Sequence, residues 1–399
     1  MQEHQDQPLA AVLPALFFVT GLFLLNFLSR TSLAPLLPAV EADLGLGHAG
    51  SGRLYLLVGG GNALGLLCNS FISSLLNHRR TVALSALAAG LALLAAAAST
   101  DMLLFRLALF GLGLATGLYL PSGIATVTAL ARPQDWGKAL AVHEIAPNLS
   151  YTLAPLLAEA VLQAFSWRAV LVLLGLLQLA AGTLFLLRRL GPDQHGHPPS
   201  AAALRRLLTR PAFWATACAF GLAIGASFGV YTMSTLYLVT SGMARTRANE
   251  FLSLARFAAL FAALFAGWLT DRLGAFFTLR GYFLGVGLAL LALGLAPAWA
   301  LPGLLVLQAL LSVLFFPACF AALAQVFPRE LRSLAVSLAV PLGMLTGLGG
   351  VPVALGACGD AGLFGLGFGL LGLALLAGLA LPPMFRAAAG RLDAPGKSA

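Results

Sequence analysis

Twelve apolar stretches follow one another along this chain, and each is long enough to cross a membrane as a helix. They lie at about 10–36, 51–71, 81–99, 103–129, 138–163, 168–188, 212–240, 248–269, 277–297, 301–325, 333–356 and 362–384. Charged residues make up only 9% of the sequence and hydrophobic residues 60%, whereas a soluble domain carries roughly 25% charged residues. The sequence therefore predicts an all-α membrane protein with twelve transmembrane helices, which we call spans 1 to 12.

One long polar interruption, residues 189–211, divides these spans into two sets of six. We expect an N-terminal six-helix bundle over residues 1–188 and a C-terminal six-helix bundle with a short cytoplasmic tail over residues 212–399. Residues 189–211 would join them as a cytoplasmic linker. His195 and His197 lie in this linker, but two histidines are too few for a metal site. The sequence therefore predicts neither a metal site nor a cofactor.

Lysine and arginine residues are concentrated on one side of the predicted membrane. If the N-terminus is cytoplasmic, 16 of the 23 basic residues fall on the cytoplasmic side: Arg79, Arg80, Arg132, Lys138, Arg188, Arg189, Arg205, Arg206, Arg210, Arg272, Arg280, Arg329, Arg332, Arg386, Arg391 and Lys397. Five fall outside: Arg53, Arg106, Arg168, Arg245 and Arg247. Cytoplasmic loops are enriched in such residues, so we expect a multi-pass protein of the inner cell membrane with both termini in the cytoplasm. This topology explains the net charge of +9 without nucleic-acid binding.

Two arginines, Arg30 and Arg256, lie well inside spans 1 and 8. A charge at that depth costs between about 2.5 and 17 kcal/mol, so a chain keeps it where something compensates it. A guanidinium group matches a carboxylate in a two-pronged fork and does not deprotonate. The two arginines therefore predict an anion-binding site. The alternatives are pairing with carboxylates or carbonyls between helices and, for Arg30, extension of the side chain toward the membrane surface.

Other polar residues share helix faces with these arginines, because residues three and four positions apart lie on the same side of a helix. Asn26 precedes the first arginine by four residues, and Ser253 precedes the second by three. Tyr119 in span 4 and Tyr231 in span 7 add hydroxyl groups, which would suit a small organic acid with an apolar end. Each of the four could equally be a contact between membrane helices, where polar residues are common.

Span 5 carries the longest polar stripe, at steps of four, three, four and four residues: Glu144, Asn148, Tyr151, Pro155 and Glu159. Asn148 is a candidate substrate contact. Glu144 is the candidate for carrying a coupling proton, because an ionisable residue within a span marks a functional site by default. His143 beside it belongs to a residue type that titrates near neutral pH. The alternatives are an ion pair between Glu144 and Lys138 and a packing role for His143.

The loop between spans 8 and 9 reads Gly267-Trp-Leu-Thr-Asp271-Arg272-Leu-Gly274. This sequence resembles the G-x-x-x-D-R-x-G loop signature of the major facilitator superfamily. The corresponding loop of the first half reads Ser70-Phe-Ile-Ser-Ser74-Leu-Leu-Asn77-His-Arg79-Arg80. It keeps a basic pair, but serines stand at the glycine and aspartate positions. We expect the glycines of the second loop to permit close approach and a tight turn, and Asp271 to pair with Arg272 or with a basic residue of a neighbouring span.

The resemblance implies a fold of two pseudo-symmetric six-helix bundles with a substrate site near the membrane midplane. It also implies that Gly267, Asp271 and Arg272 belong to a gating loop. The segment from Arg30 to Pro38 resembles the R-x-x-L-x-x-x-x-P pattern of the anion-porter branches, and Arg256 resembles the span-8 arginine of the monocarboxylate porters. Those branches often carry aspartate before the first arginine, where this chain has Ser29. A proton-coupling carboxylate is therefore expected elsewhere.

These observations predict a secondary active transporter of a small organic anion, a mono- or dicarboxylate, that works by alternating access as a proton symporter. Its partners would be the anion, protons and the lipid bilayer, and monomer is the family default. No nucleophile–base or metal constellation appears in the sequence, so no catalytic residue is predicted and the chain is not expected to be an enzyme. Two alternatives remain at this point: a proton-coupled exporter of drugs or amphiphiles, and a non-transporting membrane sensor.

Overall fold

The structure is a computed structural model that describes residues 9–385, without the side chain of Arg329. This part of the chain contains twelve helices that are long and apolar enough to cross a membrane. The spans are Leu9–Leu44, His48–Leu76, His78–Ala98, Met102–Leu130, Pro133–Leu162, Trp167–Leu187, Pro211–Thr240, Arg245–Leu273, Ala275–Leu295, Ala298–Val326, Glu330–Asp360 and Phe364–Phe385. The predicted all-α architecture with twelve spans is confirmed. The predicted tail, residues 386–399, lies outside the described residues.

Four of the spans so described consist of two helices joined at a break. The helix pairs are Leu9–Thr31 with Leu33–Leu44, Met102–Gly117 with Leu120–Leu130, Trp136–His143 with Ile145–Leu162, and Leu301–Ser312 with Phe315–Val326. In each span a proline follows the break, at Pro35, Pro121, Pro147 and Pro317. Proline has no N–H group, so the carbonyl four residues earlier loses its helical partner. That carbonyl lies at or beside the end of the first helix in all four spans.

Spans 7 and 11 each contain a π-helical segment instead of a break. These segments are Gly225–Gly229 and Met344–Gly350. A π-helical turn inserts an extra residue and changes the hydrogen-bond partners of the carbonyls around it, and such turns are frequent at functional sites. The two segments contact each other within the second half of the chain.

Contacts divide the chain into two compact units. Unit 1 comprises Met1–Gly45 and Arg53–Pro198, and unit 2 comprises Leu46–Gly52 and Pro199–Ala399. The boundary at Pro198 and Pro199 falls inside the segment that the sequence predicts to be a linker. After it, the short helix Ala201–Leu208 begins at Ser200, whose hydroxyl accepts a hydrogen bond from the amide of Ala203 at 3.2 Å. Leu207 of this helix is completely buried.

The first turn of span 2 belongs to unit 2 because the end of span 11 caps it. The Asp360 carboxylate accepts hydrogen bonds from the amides of His48 and Ala49 at 2.6 and 3.0 Å. The first amides of a helix have no partner within that helix, and an anion there also meets the positive end of the helix dipole. Asp360 therefore stabilises this helix start from a position more than 300 residues away in sequence.

Spans 2 and 4 meet within unit 1 along a seam of four glycines. Gly61 and Gly65 of span 2 face Gly113 and Gly117 of span 4, and a Cβ atom built on any of them would come closer than 3.0 Å to backbone atoms of the opposite span. Small residues allow membrane helices to approach this closely. The seam therefore joins the two spans main chain to main chain.

We expect Gly117→Ala to lower the melting temperature of the purified protein, because the added methyl group meets backbone that has no rotamer to change. Overpacking of this kind costs about 1–3 kcal/mol. Gly111→Ala on the same helix is the matched control, since its nearest neighbour would be the Ala92 Cβ at 4.0 Å. Thermal melts in detergent compare the two variants, and equal melting temperatures would contradict the seam.

Candidate functional site

The breaks in unit 1 position the polar side chains that the sequence predicts to be functional. Arg30 is the penultimate residue of the first helix of span 1, and Tyr119 lies in the break of span 4. His143 ends the first helix of span 5, and Glu144 lies in the break that follows. Irregular backbone is tolerated at membrane depth only where it is buried in protein or lines a cavity. The same prolines that interrupt these helices therefore leave the candidate residues at or beside irregular backbone.

Arg30 is buried inside unit 1, with 8% of its surface exposed. Its guanidinium carbon lies 3.9 Å from the ring centroid of Phe27. With the Asn62 amide oriented to satisfy its neighbours, the amide oxygen accepts a hydrogen bond from Nη1 of Arg30 at 3.2 Å. Among the described residues, the Nε atom has no hydrogen-bond partner and no Asp or Glu carboxylate lies within the 4.0 Å of an ion pair. The guanidinium is therefore held inside unit 1 by a ring and an amide, without a counter-ion among the described residues.

A network of amides and hydroxyls fixes the surroundings of Arg30. Asn26 donates from Nδ2 to the carbonyl of Thr116 at 3.2 Å. In the orientation described above, Asn62 also accepts from the Thr116 hydroxyl at 3.2 Å and from the Gly117 amide at 3.1 Å. Asn26, Asn62 and Thr116 are all buried. The predicted Asn26–Arg30 face of span 1 thus meets one side of span 4, next to the glycine seam.

Sequence reasoning missed three residues of this region. Phe27 and Asn62 touch Arg30, and Gln178 of span 6 donates to the hydroxyl of Ser29 at 3.0 Å. The Gln178 Oε1 atom is buried and has no partner among the described residues. Asn62 and Gln178 could have been found from the sequence, because a side-chain amide inside an apolar span is energetically costly and therefore indicates a function. Asn62 directly follows a run of three glycines, Gly59 to Gly61, and glycines in a membrane helix indicate packing rather than a binding site.

A second cluster in unit 1 surrounds His143, which is completely buried. The Phe23 ring stacks on the imidazole at 4.2 Å and on the Tyr119 ring at 4.9 Å. The Tyr119 hydroxyl lies 2.9 Å from the Val19 carbonyl and 3.2 Å from Nε2 of His143. A backbone carbonyl can only accept, so the single hydroxyl proton goes to Val19. Nε2 of His143 must then carry a proton and donate it to the tyrosine oxygen.

Because Nε2 of His143 already carries a proton in this arrangement, Nδ1 is the imidazole nitrogen that can accept one. Nδ1 of His143 is buried without a hydrogen-bond partner among the described residues, and it lies 3.7 Å from Oε1 of Glu144. The Glu144 side chain is 56% exposed, and its carbonyl accepts from Nδ2 of Asn148 at 3.3 Å. The pair therefore joins a buried base to an exposed carboxylate. The Lys138 ammonium pairs with Asp135 at 3.2 Å and not with Glu144.

The predicted residues of unit 2 form a separate cluster around Arg256. Its Nη2 atom donates to the carbonyl of Ser227 at 2.8 Å, and its guanidinium carbon lies 5.2 Å from the Tyr231 ring centroid. Ser227 lies in the π-helical segment of span 7, which explains why its carbonyl is accessible to a side chain. Ser253 is buried on the arginine's own helix, and Tyr231 is buried as well. Arg256 thus contacts a carbonyl, one of the alternatives that the sequence left open.

The sequence profile of the Major Facilitator Superfamily matches residues 19–281, which is more than half of the chain. The chain belongs to the major facilitator superfamily. It is therefore a transporter and not an enzyme. In the described part of this superfamily member, no group of three or more His, Cys, Asp and Glu side chains is placed to hold a metal ion.

Solved transporter structures share this fold over nearly the whole chain. One is a bacterial homolog of the human lysosomal transporter Spinster, with 15% identity and a TM-score of 0.79 over 98% of this chain and 100% of that chain. A D-xylose–proton symporter has 15% identity and a TM-score of 0.75 over 93% and 97%. A peptide transporter, POT, has 15% identity and a TM-score of 0.78 over 95% of both chains. Their sequence identities are low, so these similarities establish the fold and not the substrate.

The superfamily loop signature in unit 2 only partly fits the expectations from its sequence. Gly274 ends span 8 with a φ of 87°, which accounts for the tight turn. A Cβ atom at Gly267 would meet no atom within 4 Å, so the expectation of close approach was wrong there. The Arg272 guanidinium lies 5.4 Å from the Trp268 ring centroid. Asp271 is exposed and forms no ion pair with the other described residues. The gating role of this loop stays a prediction.

Proposed function

We propose that this superfamily member is a secondary active transporter of a small organic anion, a mono- or dicarboxylate, moved together with protons. The observation that carries the proposal is the buried Arg30 guanidinium, which has no carboxylate partner among the described residues. An unpaired charge away from water is strongly unfavourable. The substrate anion would supply the missing counter-charge.

The contacts of Arg30 leave one of its hydrogen-bond donors unused. Phe27 covers one face of the guanidinium and Asn62 occupies Nη1, while Nε keeps an N–H group that no described residue accepts. A carboxylate binds guanidinium through two parallel hydrogen bonds. Arginine holds its charge at every physiological pH, so the site attracts anions throughout the transport cycle. Arg256 is the corresponding candidate ligand of unit 2.

Proton coupling is assigned to His143 and Glu144. The buried Nδ1 atom faces the exposed carboxylate at 3.7 Å, so a proton can be taken up through the carboxylate and held on the imidazole. Phe23 stacks on His143 and packs edge-on against Phe27 at 5.0 Å. Phe27 in turn covers Arg30. Arg30 follows Phe23 by seven residue steps, a rise of about 10 Å along the helix, which is close enough for protonation to influence a bound anion.

Thermal stabilisation of the purified protein tests the anion site. A panel of small carboxylates, sulfonates, phosphates and lipophilic cations is compared on the natural sequence and on Arg30→Gln, with exposed Arg53→Gln as the control. A ligand at a hundredfold excess over its Kd stabilises by about 2.7 kcal/mol. We expect a carboxylate to stabilise the natural protein and the control but not Arg30→Gln. Stabilisation by lipophilic cations alone would overturn the anion assignment and favour an exporter of amphiphiles.

A further inference from the structure

The start of the predicted linker is bound to unit 1. Residues 190–198, which we call the strap, lie against the loop between spans 2 and 3. The strap carbonyls of Gln194 and Pro192 accept from the amides of His78 and Arg79 at 3.0 and 3.3 Å. The first amides of a helix need partners from outside it, and here the strap supplies two of them to span 3.

Ser73 and Gly196 form the second backbone attachment. The Gly196 amide donates to the Ser73 carbonyl at 3.1 Å. A Cβ atom at Gly196 would come closer than 3.0 Å to the Ser73 hydroxyl, so this approach requires glycine. The strap is therefore attached to unit 1 through the main chain of Pro192, Gln194 and Gly196.

An ion pair fastens the middle of the strap. Asp193 accepts from Nη1 of Arg79 at 3.0 Å through one oxygen and contacts Nη2 at 2.5 Å through the other. The second oxygen also accepts from Nδ2 of Asn77 at 3.3 Å. Two-pronged arginine–carboxylate pairs are stronger and more directional than single contacts. Arg79 is largely covered, with 19% of its side chain exposed, which reduces solvent screening at its end of the pair.

Asp193 stands in for a carboxylate that the loop itself lacks. In the second half of the chain the loop signature contains Asp271, whereas Ser74 occupies the corresponding position of the first half. Asn77 and Arg79 belong to that same first-half loop and both bind Asp193. The carboxylate thus reaches this loop from a residue more than 110 positions later in the sequence.

Docking of the strap shortens the flexible connection between the two units. Gly196 is the last residue hydrogen-bonded to unit 1, and Ala201 begins the helix that packs in unit 2. Five residue steps span at most about 18 Å. If the strap were released as far back as Leu190, eleven steps would span at most about 40 Å.

We propose that the strap is a releasable latch, in which Asp193 replaces the missing loop carboxylate and holds the connection between the units in its short form. Release breaks the fork to Arg79 and the backbone bonds to span 3, and roughly doubles the reach of the connection. The latch uses residues outside the anion and proton sites, so it stands independently of the proposed substrate.

Hydrogen–deuterium exchange of the full-length protein in nanodiscs tests the latch. The amides to follow are those of His78, Arg79 and Gly196, which donate the backbone hydrogen bonds between the strap and the loop. In the natural protein we expect them to exchange faster than amides inside span 3. Asp193→Asn keeps the side-chain volume but loses the charge, and should accelerate their exchange at least about tenfold. Asp135→Asn is the matched control, because Asp135 forms an ion pair with Lys138 elsewhere in unit 1.

One further variant keeps the test decisive. Arg79→Asp combined with Asp193→Arg restores the pair with reversed charges and should return exchange toward the natural rate. Unchanged exchange in Asp193→Asn, or equal acceleration in Asp135→Asn, would overturn the proposal.

Discussion

Arg30→Gln should raise the melting temperature of the anion-free protein and abolish its stabilisation by anions. The natural protein buries a guanidinium without a carboxylate partner among the described residues. An uncompensated buried charge is strongly unfavourable, so its removal relieves the folded state of that cost. Glutamine retains hydrogen-bonding groups for Asn62 but removes the charge that needs an anion. Differential scanning fluorimetry with and without the stabilising carboxylate measures both effects on one sample.

The sign of the stability change separates a binding role from a structural one. A structural arginine stabilises the fold, so its loss lowers the melting temperature. Arg256→Gln provides the comparison within the same chain: Arg256 already donates to the Ser227 carbonyl at 2.8 Å, so its loss should lower the melting temperature whether or not Arg256 also binds the anion. A lower melting temperature for Arg30→Gln, with the anion response retained, would show that Arg30 is structural and would sink the proposed site.

His143→Gln should make anion affinity independent of pH. Protonation of the imidazole adds a positive charge on the cluster next to Arg30, so the natural protein should bind anions more tightly as pH falls. Coupling to one proton gives at most a tenfold change in affinity per pH unit, and linkage requires that the anion favour proton binding equally. Isothermal titration calorimetry at several pH values measures the slope of log Kd against pH.

Two companion variants identify which group holds the proton. Glu144→Gln removes the negative charge that faces Nδ1 at 3.7 Å but leaves the imidazole in place, so a slope should remain. Tyr119→Phe removes the acceptor of the Nε2–H group and also leaves the imidazole in place, so a slope should remain there as well. If Glu144→Gln is flat while His143→Gln keeps the slope, the carboxylate and not the imidazole is the proton acceptor.

The length and spacing of apolar stretches were sufficient to predict the twelve spans. Helix periodicity also placed Asn26 and Arg30 on one face of span 1. It gave no information on which other helix that face meets, because Asn62 and Thr116 lie in spans 2 and 4. The hydrogen-bond order around His143 depends on the Val19 carbonyl, a main-chain group that has no signature in the sequence. Docking of Asp193 on Arg79 is equally non-local, and the segment around it was interpreted only as a linker.

The helix breaks in spans 1, 4 and 5 could partly be predicted from the sequence. Pro35, Pro121 and Pro147 each follow a candidate residue by a few positions, and the missing N–H of proline accounts for the local interruption. The π-helical segment that presents the Ser227 carbonyl to Arg256 has no comparable marker. Glycines flank it, but glycines are frequent in membrane helices for packing reasons as well.

The contact between spans 2 and 4 is made by the glycine seam, whereas substrate selection would depend on other side chains of unit 1. Asn62 and Thr116 project beside the seam, yet the joint itself consists of main-chain atoms at Gly61, Gly65, Gly113 and Gly117. A joint of that kind does not depend on the chemistry of its neighbours. In evolutionary terms, a descendant of this protein could exchange the residues around Arg30 and acquire a new substrate without first having to repair the fold.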